Sequence, residues 1–104
     1  MCVDLEEFLI AAGDLLAVPS TADRPDELRR ALEFVTGFVG PGFRVDRFDS
    51  AGKPSALVYR ATGPDGAPPR FRVILNGHLD VVPGDPEQFR PRRHGDRLYA
   101  APRT

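Results

Sequence analysis

The spacing of apolar residues changes once along this chain, and that change limits what it can fold into. Up to Val39, apolar side chains recur every three or four positions, the period of a helix face. After Gly42 the period becomes two, the period of a half-buried strand. Leu5, Phe8, Leu9, Ala12, Leu15 and Leu16 form the first stripe. Asp4 stands where an N-cap belongs, with Glu7 three residues on, and Pro19 ends the helix near Val18. A polar link, Ser20 to Arg24, leads to a second helix opening at Pro25, a residue suited to the first helical position. Asp26 and Glu27 occupy its first turn, where the helix dipole favours negative charge. Its stripe is Leu28, Ala31, Leu32, Val35, Phe38 and Val39, and Gly40-Pro41 end it.

Beyond Gly42, Phe43 and Val45 alternate with Arg44 and Asp46, Asp49 to Gly52 has turn composition, and Ala56 to Ala61 reads as a second strand pairing back as a hairpin. Thr62 to Pro69 reads as a hairpin tip rather than a linker. Phe71 to Asn76, FRVILN, is the most apolar stretch and is expected at the centre of the sheet. Gly84 to Asp96 reads as a polar, proline-rich loop, and Arg97 to Ala100 as a short last strand. Two helix stripes need a common surface, and a sheet supplies one. The expected class is α/β: two helices, then three to four strands of a mixed sheet. At 104 residues the whole chain, 1–104, makes a single domain at most.

Fourteen basic residues against fifteen acidic ones leave a net charge of -1, which supplies no excess to hold a polyphosphate, so no nucleic-acid partner is expected. No apolar run approaches membrane-spanning length. Asp4, Glu6 and Glu7 stand where a secretory signal carries positive charge. The lone cysteine, Cys2, cannot form an intrachain disulfide, which suits a reducing, cytoplasmic setting. Cys2 has no nearby histidine or helix N-terminus in sequence to activate it as a nucleophile.

Chemistry concentrates just past FRVILN, in Gly77-His78-Leu79-Asp80-Val81-Val82-Pro83. Neutral imidazole is a good zinc ligand. A ligating histidine usually donates its other N–H to an oxygen that fixes its tautomer. On extended backbone, residues two apart point to the same side, so Asp80 can orient His78. Taken alone, the His-x-Asp spacing favours a purely structural pair, because two residues do not make the three- or four-ligand shell zinc takes.

The longer stretch ILNGHLDVVPGD resembles the first metal motif of the zinc-dependent superfamily of aminoacylase, acetylornithine deacetylase, succinyl-diaminopimelate desuccinylase and carboxypeptidase G. LLAVPS at Leu15 to Ser20 is similar to the end of that family's first helix, and ALEFVTGFV to its second. Phe89, Pro91 and Gly95-Asp96-Arg97-Leu98-Tyr99 resemble the segment leading to its second metal motif. The resemblance runs from about Leu5 to Ala100. It implies a catalytic α/β domain with a smaller lid or dimerisation domain. Two zinc ions about 3.5–4 Å apart hold an attacking water, and a glutamate carries its proton to the leaving amine. The implied substrate is an N-acyl amino acid or a peptide with a free carboxylate, cleaved at an amide bond. Carried onto this chain, His78 is a ligand to one zinc and Asp80 its orienting carboxylate.

The pattern breaks at Ala101. Family members continue after Leu-Tyr with Gly or Ala and then Arg-Gly-x-x-Asp-Met-Lys-Gly, whose aspartate bridges the metals. Here Ala101-Pro102-Arg103-Thr104 follows Ala100. The bridging aspartate, the glutamate pair, the later acidic ligand and the last histidine have no counterpart. His94, in Arg90-Pro91-Arg92-Arg93-His94, sits where a cation is repelled and reads as solvated surface. The expectation is therefore a truncated N-terminal part of such a catalytic domain, without the lid and inactive as this chain. A frameshift is one route to it, since Pro102-Arg103-Thr104 written CCG-CGG-ACN reads Arg-Gly one base later; a simple fragment is another. The alternative is a non-enzymatic interaction domain or one part of a split enzyme, offering an exposed sheet edge to a partner. A metallo-β-lactamase relative is disfavoured, because Asn76, Leu79 and Val82 do not supply the denser histidine cluster such a site needs. An unpaired edge also predicts self-association.

Overall fold

The computed structural model describes residues 4–60 and 70–100. Cys2, the Thr62–Pro69 tip, Ala61 and Ala101–Thr104 lie outside the described residues. The element order is α1 (Leu5–Leu16), α2 (Pro25–Thr36), β1 (Phe43–Ser50), β2 (Lys53–Arg60), a 3-10 turn (Pro86–Phe89), β3 (Arg92–His94) and β4 (Arg97–Tyr99). The chain is α/β, with helices followed by strands. No helix among the described residues is long and apolar enough to cross a membrane.

Asp4 caps α1 as its sequence position demands, its Oδ1 accepting from the amides of Glu6 (2.8 Å) and Glu7 (3.3 Å). The helix ends at Leu16 rather than Val18, because a residue preceding proline is pushed out of the helical region. Pro25 opens α2 with Asp26 and Glu27 in its first turn. That helix stops at Thr36, short of the expected Gly40. The Thr36 hydroxyl donates back to the carbonyl of Leu32 (2.9 Å), and the backbone then tightens, Phe38 N bonding to Val35 O and Val39 N to Thr36 O, both 3.1 Å.

β1 and β2 form the expected antiparallel hairpin, in register from Phe43↔Arg60 to Ser50↔Lys53. Both strands run longer than their apolar alternation, since cross-strand pairing carries the polar ends. Ala51 and Gly52 make a two-residue turn with φ of 54° and 78°, the double left-handed pattern that matches strand twist. Asp49 Oδ1 accepts from Gly52 N at 3.1 Å. A bidentate contact from Arg47 to Glu33 (2.9 and 3.2 Å) ties the hairpin to α2. β3 and β4 pair separately, Arg92↔Tyr99 to His94↔Arg97. The Arg93 guanidinium holds this second hairpin against α1 through both oxygens of Glu6.

Three expectations are corrected. The strands make two separate two-stranded antiparallel sheets, not one mixed sheet. Phe71–Asn76 is not a strand and is not buried: Val73, Ile74 and Leu75 are 74%, 70% and 93% exposed. An apolar run becomes a central strand only if ladder neighbours stand on both sides, and among the described residues none stands against it. Part of the loop expected over Gly84–Asp96 also forms a 3-10 turn and β3. Among the described residues, the buried apolar ones are few, Ala31, Val18 and Leu9. The radius of gyration, 16.2 Å, exceeds the roughly 13 Å of a compact chain this long.

Three outcomes follow from this packing. Ala51→Gly stabilises the chain by about 0.5–1 kcal/mol in urea unfolding, the left-handed cost of alanine less the entropy glycine loses. The hydrogen bond from Arg93 holds the Glu6 carboxyl below the ordinary 4.5. A depressed carboxyl stabilises above its unfolded value and loses that contribution as pH falls through the folded value. The β3–β4 hairpin therefore loosens from α1 below pH 4.5, and Arg93→Ala returns the Glu6 titration, read by NMR, to its ordinary range. Third, light scattering shows concentration-dependent association of the isolated chain; a monomer with one cooperative transition contradicts this.

Candidate functional site

The segment from Asn76 to Val82 has no regular structure of its own, and the link between the helices holds it in place. Ser20 is 3% exposed, and its hydroxyl donates to the carbonyl of Leu79 at 2.6 Å. The Ser20 carbonyl accepts from Val81 N at 3.0 Å, and Thr21 and Val81 form a single parallel bridge. Two hydrogen bonds thus flank Asp80 and fix the backbone on which His78 and Asp80 stand.

His78 Nδ1 lies 3.0 Å from the backbone carbonyl of Asp80 and 3.0 Å from its Oδ1. Both are acceptors, so Nδ1 carries the proton, and in the neutral ring the lone pair resides on Nε2. Neither side chain is buried; they are 83% and 64% exposed. A carboxylate orienting a histidine through Nδ1 is the arrangement that leaves Nε2 available to an electrophile.

His78 borders two open clefts. One, of about 310 Å³, lies between Ala22, Leu28 and Leu32 on one side, Lys53–Ala56 of β2, and Asn76–Asp80. The other, of about 380 Å³, is more apolar and runs between Leu15, Leu16 and Val18, the Val81–Val82 segment, and Phe89. His94 stands elsewhere, on exposed β3.

Zinc takes three or four protein ligands. Among the described residues, no three His, Cys, Asp or Glu side chains gather where they can hold a metal ion. His78 with its orienting Asp80 supplies one donor, so the described residues do not make a zinc site, and no hydrolytic step follows from them alone.

Sequence reasoning paired His78 with Asp80 and missed Ser20 and Thr21, which it placed in a polar link. Nothing local marks Ser20 as an anchor, because its partner Leu79 is 59 residues away. The one available signal is a hydroxyl directly after Pro19, at the end of an apolar helix.

No family model matches the chain. The chain is 36% identical over 105 aligned residues to a succinyl-diaminopimelate desuccinylase of Paracidovorax citrulli (strain AAC00-1). The match covers 91% of this chain and 26% of that protein, so the chain spans about a quarter of the curated relative's length. The similarity is thus to part of a hydrolytic enzyme.

Ser20→Ala removes the hydroxyl bond to Leu79 and costs about 1 kcal/mol locally. Hydrogen exchange of the Val81 amide then quickens by roughly fivefold. Asp80→Ala lowers the Nδ1–H share of neutral His78, read from the two ring ¹⁵N shifts.

Proposed function

We propose that residues 1–104 correspond to the N-terminal part of the catalytic unit of an amide-bond hydrolase of the desuccinylase kind. His78 would be its donor to one zinc ion, and Asp80 the carboxylate that sets the histidine tautomer. The observation that carries this reading is His78 Nδ1 held 3.0 Å from Asp80 Oδ1, an acceptor that favours the Nδ1–H tautomer and leaves Nε2 to accept an electrophile. The motif that supplies it lies within a chain that is 36% identical to a desuccinylase. The substrate class in such an enzyme is a small N-acylated amino acid, as the relative's name states for its own succinylated substrate. A reducing, cytoplasmic setting fits the lone cysteine.

The described residues by themselves do not complete an active site. One imidazole neither fills a metal's coordination nor positions a base beside its water. The direct test is release of succinate from N-succinyl-diaminopimelate by the purified chain in added zinc. No release is expected. Zinc-dependent release that disappears in His78→Ala contradicts that expectation. With His78 83% exposed, His78→Ala changes stability by less than about 0.5 kcal/mol, so loss of folding does not confuse the result.

A second reading, one component of a split enzyme, is favoured by a separate observation. The apolar residues Val73, Ile74 and Leu75 are exposed and belong to no ladder.

A further inference from the structure

Residues 90–97 concentrate positive charge in a chain that is otherwise net acidic. Four arginines and His94 stand there against one carboxylate, Asp96, while the whole chain carries a net charge of -1. The β3–β4 hairpin sorts these groups onto two faces. Arg93 and Leu98 are register partners, and both turn toward α1. Arg93 grips both oxygens of Glu6, and Leu98 Cδ1 lies 4.0 Å from where a β-carbon on Gly13 would stand. Side chains alternate along a strand, so Arg92 and His94 of β3 project from the opposite face, and Arg97, the partner of His94, projects with them. Arg92, His94 and Arg97 are all exposed. Arg29, Arg30 and Arg47 each stand beside a carboxylate. Among the described residues, the side chains of Arg92, His94 and Arg97 have no such partner. Like charges on one face of paired strands repel, and an acidic ligand removes that repulsion.

We propose that the outer face of the β3–β4 hairpin is a docking site for an acidic peptide segment with carboxylates at alternate positions. Arg92 and Arg97 are diagonal neighbours in this register, about 7–8 Å apart. Side chains two apart on an extended peptide recur at about 6.7 Å, so one carboxylate falls to each guanidinium. The guanidinium fork takes a carboxylate through two parallel hydrogen bonds. His94 stands beside both arginines and donates to either carboxylate. The grip of Arg93 and Leu98 on α1 fixes this face before a ligand arrives, which lowers the ordering cost of binding. A nucleic acid is disfavoured as occupant, because its closely spaced phosphates meet a chain that is net negative beyond this face. The site uses neither His78 nor a metal and stands independently of the hydrolase reading.

The test is fluorescence anisotropy of a labelled peptide of alternating glycine and glutamate, titrated with the 104-residue chain in about 0.1 M salt, where charges more than about 10 Å apart are screened. Saturable binding is expected, and none for the same peptide with glutamine in place of glutamate. Arg92→Gln combined with Arg97→Gln weakens binding by roughly three- to tenfold, the worth of two exposed ion pairs. Arg93 stays in place, so the hairpin keeps its contact with Glu6. Arg24→Gln combined with Arg29→Gln makes the same change in net charge at α2 and alters binding by less than about twofold. Equal weakening by the two double variants, or no saturable binding, overturns the site. Displacement of the peptide by inorganic phosphate or by a single-stranded oligonucleotide, at lower concentration than the unlabelled peptide needs, makes the occupant a phosphate group or a nucleic acid and overturns the assignment.

Discussion

The candidate site depends on one buried serine. Ser20 sits in the turn between the two helices, and through its hydroxyl and its carbonyl it grips the backbone on both sides of Asp80. Without those bonds, Asn76–Val82 would have no regular hydrogen bonding to hold it, because it belongs to neither sheet. The helices thus do more than bury apolar stripes. Their connection places a histidine and an aspartate at the junction of two clefts.

What the molecule presents there is one imidazole whose tautomer is set and whose remaining nitrogen is exposed. The rest of the structure has the same one-sided character. Among the described residues, β2 is paired along one edge, the FRVILN stretch lies open to water, and the buried apolar residues are few.

How much of this was legible in the sequence depended on whether the deciding interaction was local. Asp4 and Pro25 set their helix starts through bonds and torsions within a few residues, so both were readable. Asp49 to Gly52 named its own turn, although only the backbone revealed that Ala51 takes a left-handed φ. The FRVILN stretch was misplaced because its composition states a need for burial and not whether the chain can meet it. β3 was missed because its arginines and histidine look like loop, and its pairing depends on the adjacent turn at Gly95 and on docking against Glu6. The His78–Asp80 hydrogen bond was readable from a two-residue spacing. The role of Ser20 was not, since it acts across 59 residues.

The central claim is that the described residues contribute a single oriented imidazole and no complete metal site. Calorimetric titration of zinc into the 104-residue chain, with His78→Ala alongside, tests it most directly. The account predicts no saturable binding at micromolar zinc. Tight one-to-one binding that is abolished by His78→Ala would contradict it, and would mean that the chain gathers further ligands around His78 by itself.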